Sequence, residues 1–441
     1  MKKFTLIRSV IVLIASLFVS LYFSFYSITD NTDVKTFVLT LMPGELTNPA
    51  VDYTKEMDDS ELEAAMVKSA KLAAKQKKPT GEESPEENFI YEGYGSNGLK
   101  ITGYTGVETK VEIPAIIDKK PVYAIGADCF ANNMYLTEIV IPDTVVYIED
   151  SAFAQCSQLT AVELPAYLVS VGANCFADDT ALTSVTKRAD VESVTHGVKA
   201  IYNNAFANCT ALTEVYLGGE DFNEVTVEWN AFANCSALTT VELPNNCKYL
   251  QDSVFLNCAV LVNITGVEDA VEIGSGCFEG CSSLQSISIS GDITNIGSCA
   301  FRNCTSLASV SFGERTVTTF EDGNMIVTVI GDNCFEATAI SEIGVPGYVE
   351  CIGGWSFVNC PNLTCFTWQN SGMNQATQVY GECIFENCPS LVDVYMPITV
   401  SNASGFTSDD AQHFALHTNS QSIRQYCDEI QLVYDDWNEN L

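Results

Sequence analysis

Eighteen cysteines and three histidines are the residues of this 441-residue chain best suited to hold a metal or attack a substrate. His413 and His417 stand four apart, the spacing that places two imidazoles on one face of a helix. No glutamate lies between them and no third ligand is near in sequence, so both read as solvent-facing side chains. His196 sits in an insertion near Lys187 and Arg188, with no nucleophile in register with it. Cys277 with Cys281, and Cys383 with Cys388, are close enough to suggest zinc, yet neither pair has a partner histidine nearby. The chain carries no phosphate loop, no Gly-x-Ser-x-Gly elbow and no dinucleotide fingerprint. The reading is a protein that is not an enzyme and uses neither cofactor nor metal.

What positions the cysteines is a repeat. Phenylalanine recurs at 130, 153, 176, 206, 232, 255, 278, 301, 335, 357 and 385, and five of the ten gaps are 23 residues. Three residues past the Phe stands Cys in eight copies (156, 209, 235, 258, 281, 304, 360 and 388), with Asn133, Asp179 and Thr338 as exceptions. Six past it stands Leu in ten copies; one residue is deleted in the copy at Phe335, where Ile340 takes the place. The unit is Ala-Phe-x-x-Cys-x-x-Leu-x-x-Val-x-Leu-Pro, followed by a short apolar run ending near Ile-Gly. A fixed period of this length marks a solenoid, in which one supersecondary unit stacks on copies of itself. Leu-x-x-Val-x-Leu alternates as a strand with one buried face, and Pro after it, as at Pro142, Pro165 and Pro244, ends the ladder. The Ala-Phe-x-x-Cys corner predicts a single helical or 3-10 turn. Cysteine on a buried rung packs as a small hydrophobe, and burial makes it a poor nucleophile. Stacked thiols pointing one way also fit disulfide torsions badly, so the ladder reads as reduced.

This unit resembles the BspA-type leucine-rich repeat, a family of surface proteins of bacteria and some anaerobic protists. The resemblance covers roughly residues 89–430, including an opening segment from Lys110 to Gly126. It implies an extracellular binding or adhesion module for a protein or glycan on another cell or host surface. A structural envelope or spacer protein without a specific ligand is the alternative.

Composition narrows the partners. Acidic residues number 56 against 21 basic, a net charge of −35. Such a surface repels phosphate backbones and excludes nucleic acid as a partner. Lys2, Lys3 and Arg8 precede an apolar run to Thr29, which predicts a signal-anchor helix over 1–29 with the repeats outside the cell; a cleaved signal peptide and a secreted product is the alternative. Residues 30–88 read as a helical stalk and linker. The repeats, 89–430, need caps, which 89–128 supplies at one end and a helix then strand over 422–434 at the other; 431–441 is the end of that cap and a tail.

Four of the ten gaps are longer than the rest, at 30, 26, 34 and 28 residues. Their extra length falls after the Leu-x-x-Val strand, near 187–197, 218–226, 313–326 and 368–377, which places the inserted loops along one edge of the solenoid. They carry Lys187, Arg188, Phe222, Arg315, Phe320, Trp368 and Met373, and aromatics beside arginine are the composition of contact hot spots. These seven are the expected partner-binding residues. The competing expectation is that the aromatics fold back over the solenoid flank.

Overall fold

A computed structural model describes residues 85–95, 97–189, 197–219, 222, 224–316, 328–369, 379–400, 414–430 and 432–436. All belong to a compact unit spanning Tyr53–Leu441. The anchor reading for 1–29 and nearly all of the stalk reading for 30–88 lie outside the described residues. Among the described residues no helix is long and apolar enough to cross a membrane.

Each repeat forms one turn of a β-solenoid with two strand-built walls. The front wall takes the Leu-x-x-Val segment. Its strands Ala161–Leu164 and Ser286–Ile289 alternate exposed and buried residues, as a period of two requires. Val162, Val185, Val215, Val241 and Ile264 occupy one register position across five parallel strands. The back wall takes the apolar run that ends near Ile-Gly, and belongs to a 14-stranded sheet. There Ile125, Ile148, Val171, Ile201, Val227, Leu250, Ile273, Ile296, Ile330 and Ile352 line up turn after turn, all fully buried. The strands run parallel because every turn enters each wall from the same side.

Between the walls runs the phenylalanine column. From Phe130 to Phe357 successive rings lie 5.0–5.4 Å apart with planes within 17° of parallel. Burial of these rings supplies much of the apolar area in each layer.

The corner that carries the Phe differs from the helical turn expected. Alternate N–H groups point along different axes. Ala152, Ala154 and Cys156 close turns onto the carbonyls of Glu149, Ser151 and Phe153, while Ser151, Phe153 and Gln155 donate to Ala173, Cys175 and Ala177 of the next turn. A helix would keep all of these bonds local; here half of them tie one turn to the next. The conformation needs left-handed backbone two residues before and two residues after each Phe, as at Asn230 (φ 57°) and Asn234 (φ 61°) around Phe232. That explains why Asn, Asp, Ser and Gly predominate at these positions, with Gln155, Cys299, Ala337, Trp355 and Cys383 as the others.

Both ends of the stack are closed. An antiparallel pair, Phe89–Tyr94 with Gly98–Tyr104, brings Tyr104 to within 5.3 Å of Phe130, ring centre to ring centre. At the other end, Phe366 wedges edge-on between Phe357 and Phe385. Helix Gln421–Ile430 buries Ile423 and Cys427, and strand Tyr434–Asp435 pairs with Ala415–Thr418 as the last rung. His417 lies on that penultimate strand, and its ring is tucked between carboxylates instead of facing solvent.

Candidate binding surface

The outward side chains of the front wall fall in two columns, two per strand, and none of them is needed to build the core. One column runs Lys110, Glu138, Ala161, Ser184, Glu214, Thr240 and Asn263; the other runs Glu112, Val140, Glu163, Thr186, Tyr216, Glu242 and Thr265. Over strands Glu138–Val140, Ala161–Leu164 and Ser184–Lys187 the face dips into a cleft of about 400 Å³. Its floor is low because Ala161 and Ser184 are small, and Glu138, Glu163 and Arg188 stand around it.

Arg188 lines this cleft and is held rigidly. Its Nη1 donates to Asp143 Oδ1 at 2.9 Å and its Nη2 to Glu163 Oε2 at 2.8 Å. Asp143 is fully buried, so the pair fixes the guanidinium against the wall. Burial works against the Arg188 charge, but Asp143 and Glu163 outweigh it and hold its pKa above the usual value.

The other expected contact residues are placed differently. Lys187 is buried, its Nζ donating to the carbonyls of Pro165 and Ala166 at 2.9 and 2.7 Å. Trp368 is fully buried, with Nε1 donating to Val349 O at 3.1 Å. Neither can meet a partner without unfolding the turn, which removes both from the contact surface. Phe222 is partly buried against the core. Arg315 lies over the Tyr348 ring, 4.4 Å from its centre, and donates to Gly291 O and Ile293 O. Phe320 and Met373 lie outside the described residues. The structure does not gather the five described residues into one patch. Counting within the repeat explains why. Lys187 and Trp368 stand eleven residues past Phe176 and Phe357, where other turns carry Leu164, Leu217, Leu243 and Ile289, the last inward position of the front strand. The insertions begin only after that position.

The sequence reading also missed two rows of side chains on the outside of the fold. Thr137, Thr160, Thr183, Thr213 and Thr239 each donate through Oγ1 to the carbonyl of the corresponding Thr one turn earlier, at 2.8–3.1 Å. Asn208, Asn234 and Asn257 form an amide ladder, with links of 2.9–3.0 Å beginning at Asp178. The signal was present in the recurrence of Thr seven residues and Asn two residues past the Phe in more than half of the turns.

A repeat of this register, with Phe, Cys and Leu at fixed offsets on stacked turns, matches a known family. The model described as the BspA type leucine rich repeat region fits residues 123–229, 225–328 and 328–429. The chain belongs to the BspA-type leucine-rich repeat family. None of the curated proteins matches it. Among solved structures it is similar to a T. pallidum leucine-rich repeat protein, at 28% identity over 46% of this chain and 91% of that one, TM-score 0.41. It is also similar to a leucine-rich cell surface protein of Faecalibacterium prausnitzii, at 20% identity over 82% and 100% of the two chains, TM-score 0.41. A leucine-rich repeat protein of Bacteroides ovatus is 22% identical over 72% and 95%, TM-score 0.35. BspA-type membership accounts for the repeat grammar of the core; it leaves the outward columns, which differ from turn to turn, to be read from the geometry.

Proposed function

We propose that this protein is an extracellular binding or adhesion module that presents the front face of its solenoid to a protein or glycan partner. The observation that carries the reading is the cleft over Ala161 and Ser184. It sits on a rigid sheet, framed by Glu138, Glu163 and the fixed guanidinium of Arg188. Sites on rigid elements lose little entropy when a partner docks. Membership of a repeat-scaffold family supports binding over catalysis. The proposal places the repeats outside the cell, with Lys2, Lys3, Arg8 and the apolar run behind them holding the chain at the membrane.

The test is binding of the purified repeats to a glycan array and to an array of extracellular-matrix proteins. Ala161→Arg with Ser184→Arg fills the cleft and leaves every inward side chain in place. Loss of binding with an unchanged melting temperature supports the proposal. Binding that survives this change moves the site off the front face, and absence of binding by the wild type favours a spacer role.

A further inference from the structure

The last rung of the solenoid carries a side-chain cluster that the binding face does not use. His417, on strand Ala415–Thr418, stands between Asp393 of the preceding strand and Asp435 of the closing strand. Its Nε2 lies 3.0 Å from Asp393 Oδ1, and its Nδ1 makes a short contact with Asp435 Oδ1. The Tyr395 ring stacks on the imidazole, 4.4 Å between centres. Three neighbouring strands are thus tied through one ring. The closing strand, Tyr434–Asp435, is only two residues long, so side-chain ties weigh heavily in keeping it docked.

Both carboxylates can only accept, so both bonds form only while the ring carries two N–H groups. A neutral imidazole has one N–H, and its other nitrogen turns a lone pair toward a carboxylate. We propose that Asp393, His417 and Asp435 form a pH-sensitive clasp, which holds the closing strand while the imidazole is doubly protonated and loosens it on loss of one proton. The strand released is the end strand of its sheet, paired on one side only. Its departure uncovers the outer edge of Ala415–Thr418, and with it the end of the front sheet.

The surroundings agree with this direction. The titratable and charged groups around the ring are Asp393 and Tyr395 on one strand, Cys365 on the strand before it, and Asp435 with Tyr434 on the closing strand. Asp428 and Arg424 lie on helix Gln421–Ile430, and Asp436 follows the closing strand. Arg424, the cation of this set, is already paired with Asp436 and lies over the Tyr434 ring. Partial burial disfavours the His417 charge, but the bonds to Asp393 and Asp435 outweigh it and raise its pKa above the ordinary histidine value. Stability drawn from a raised histidine is complete below the unfolded value near 6.5 and is lost as pH rises through the folded value. The clasp is therefore fully closed below the ordinary histidine value and opens as pH rises above it, through the raised value of the folded state.

The experiment is hydrogen exchange by mass spectrometry on the full-length protein between pH 6 and 9, with rates corrected for the intrinsic pH dependence of exchange. Protection of 415–418 and 432–436 should fall about tenfold as His417 titrates, the size expected for one lost charge-assisted bond. Peptides around Phe278 serve as the internal reference and should not change. In His417→Gln the same segments should be weakly protected at every pH, with the Phe278 peptides still protected to show that the solenoid is folded. Asp435→Asn should likewise flatten the profile. Protection of 432–436 that is independent of pH in the wild type, or a transition that persists in His417→Gln, overturns the clasp.

Discussion

Three residues after each ladder phenylalanine, one side chain decides how the corner is sealed. Where it is cysteine, the thiol donates to the carbonyl of the Phe one turn earlier. Cys235 reaches Phe206 O at 3.1 Å, Cys258 reaches Phe232 O at 3.2 Å and Cys304 reaches Phe278 O at 3.1 Å. The thiol is a weak donor that still packs as a hydrophobe. Burial pushes the thiol pKa of Cys258 and Cys304 up to about 12, which leaves negligible thiolate at neutral pH. Native protein should therefore resist iodoacetamide at Cys209, Cys235, Cys258, Cys281 and Cys304, and react at all five once unfolded; native labelling at these sites would contradict the ladder. Asp179 is the exception that tests the corner. It is fully buried, with Oδ1 accepting from the Cys156 N–H at 2.7 Å and Oδ2 without a partner. Burial raises its pKa to about 8. Because the folded value lies above the unfolded value near 3.9, the unfolded chain binds fewer protons between those limits. Stability then falls as pH rises from about 4 to about 8 and levels off beyond. Asp179→Asn should remove that slope and stabilise the protein by a few kcal/mol at pH 8, on the order of the cost of a buried unpaired charge. Urea titrations at pH 5 and pH 8 decide it: an unchanged pH slope in the variant would show that Asp179 is not the group responsible.

At the scale of one turn, the inward residues were legible in the sequence and the corner was not. Phe, Cys, Leu and Val recur because each fills a fixed volume between two walls, and volume is written in residue type. The corner is set by backbone angles, which several residue types satisfy: the position two past the Phe is Asn in seven turns, but Gln155, Asp178, Gly280 and Ala337 occupy it elsewhere, all with positive φ. The insertions misled for a related reason. Lys187 and Trp368 are polar or bulky where Leu is usual, yet the strand's alternation turns them inward, so position outranked composition. The corner rule is testable at Asn257, where φ is 60° and Nδ2 donates to Asn234 Oδ1 at 3.0 Å. Asn257→Gly keeps the backbone and loses the amide link, costing about 0.5–1.5 kcal/mol. Asn257→Val adds the left-handed penalty of a β-branched residue, a further 1–2 kcal/mol roughly. Equal losses in chemical denaturation would mean that the backbone conformation is not what the position selects.

For the whole molecule, stability should be close to a sum over turns and the interfaces between neighbours. Phe278 stacks on both sides, 5.3 Å from Phe255 and 5.3 Å from Phe301. Phe278→Ala should then cost about 3–5 kcal/mol through lost burial and a cavity. Phe130, covered on one side by the tilted Tyr104 ring, should cost less. A stronger test follows from the 23-residue spacing of Phe278 and Phe301. Deleting 279–301 joins Phe278 to Arg302 and removes one complete turn in register, so each wall loses one strand and each remaining turn keeps its pattern of neighbours. The product should fold cooperatively, with a modestly lower midpoint in urea and the same circular dichroism per residue. Deleting 89–128 instead strips the closing pair Phe89–Tyr94 and Gly98–Tyr104 from the end of the stack. That exposes an apolar cross-section and the edge of the strand Tyr147–Ile148, which should drive aggregation on gel filtration. If the single-turn deletion unfolds the protein while the cap deletion stays monomeric, the turns are not interchangeable layers, and cooperativity must come from contacts that skip beyond nearest neighbours.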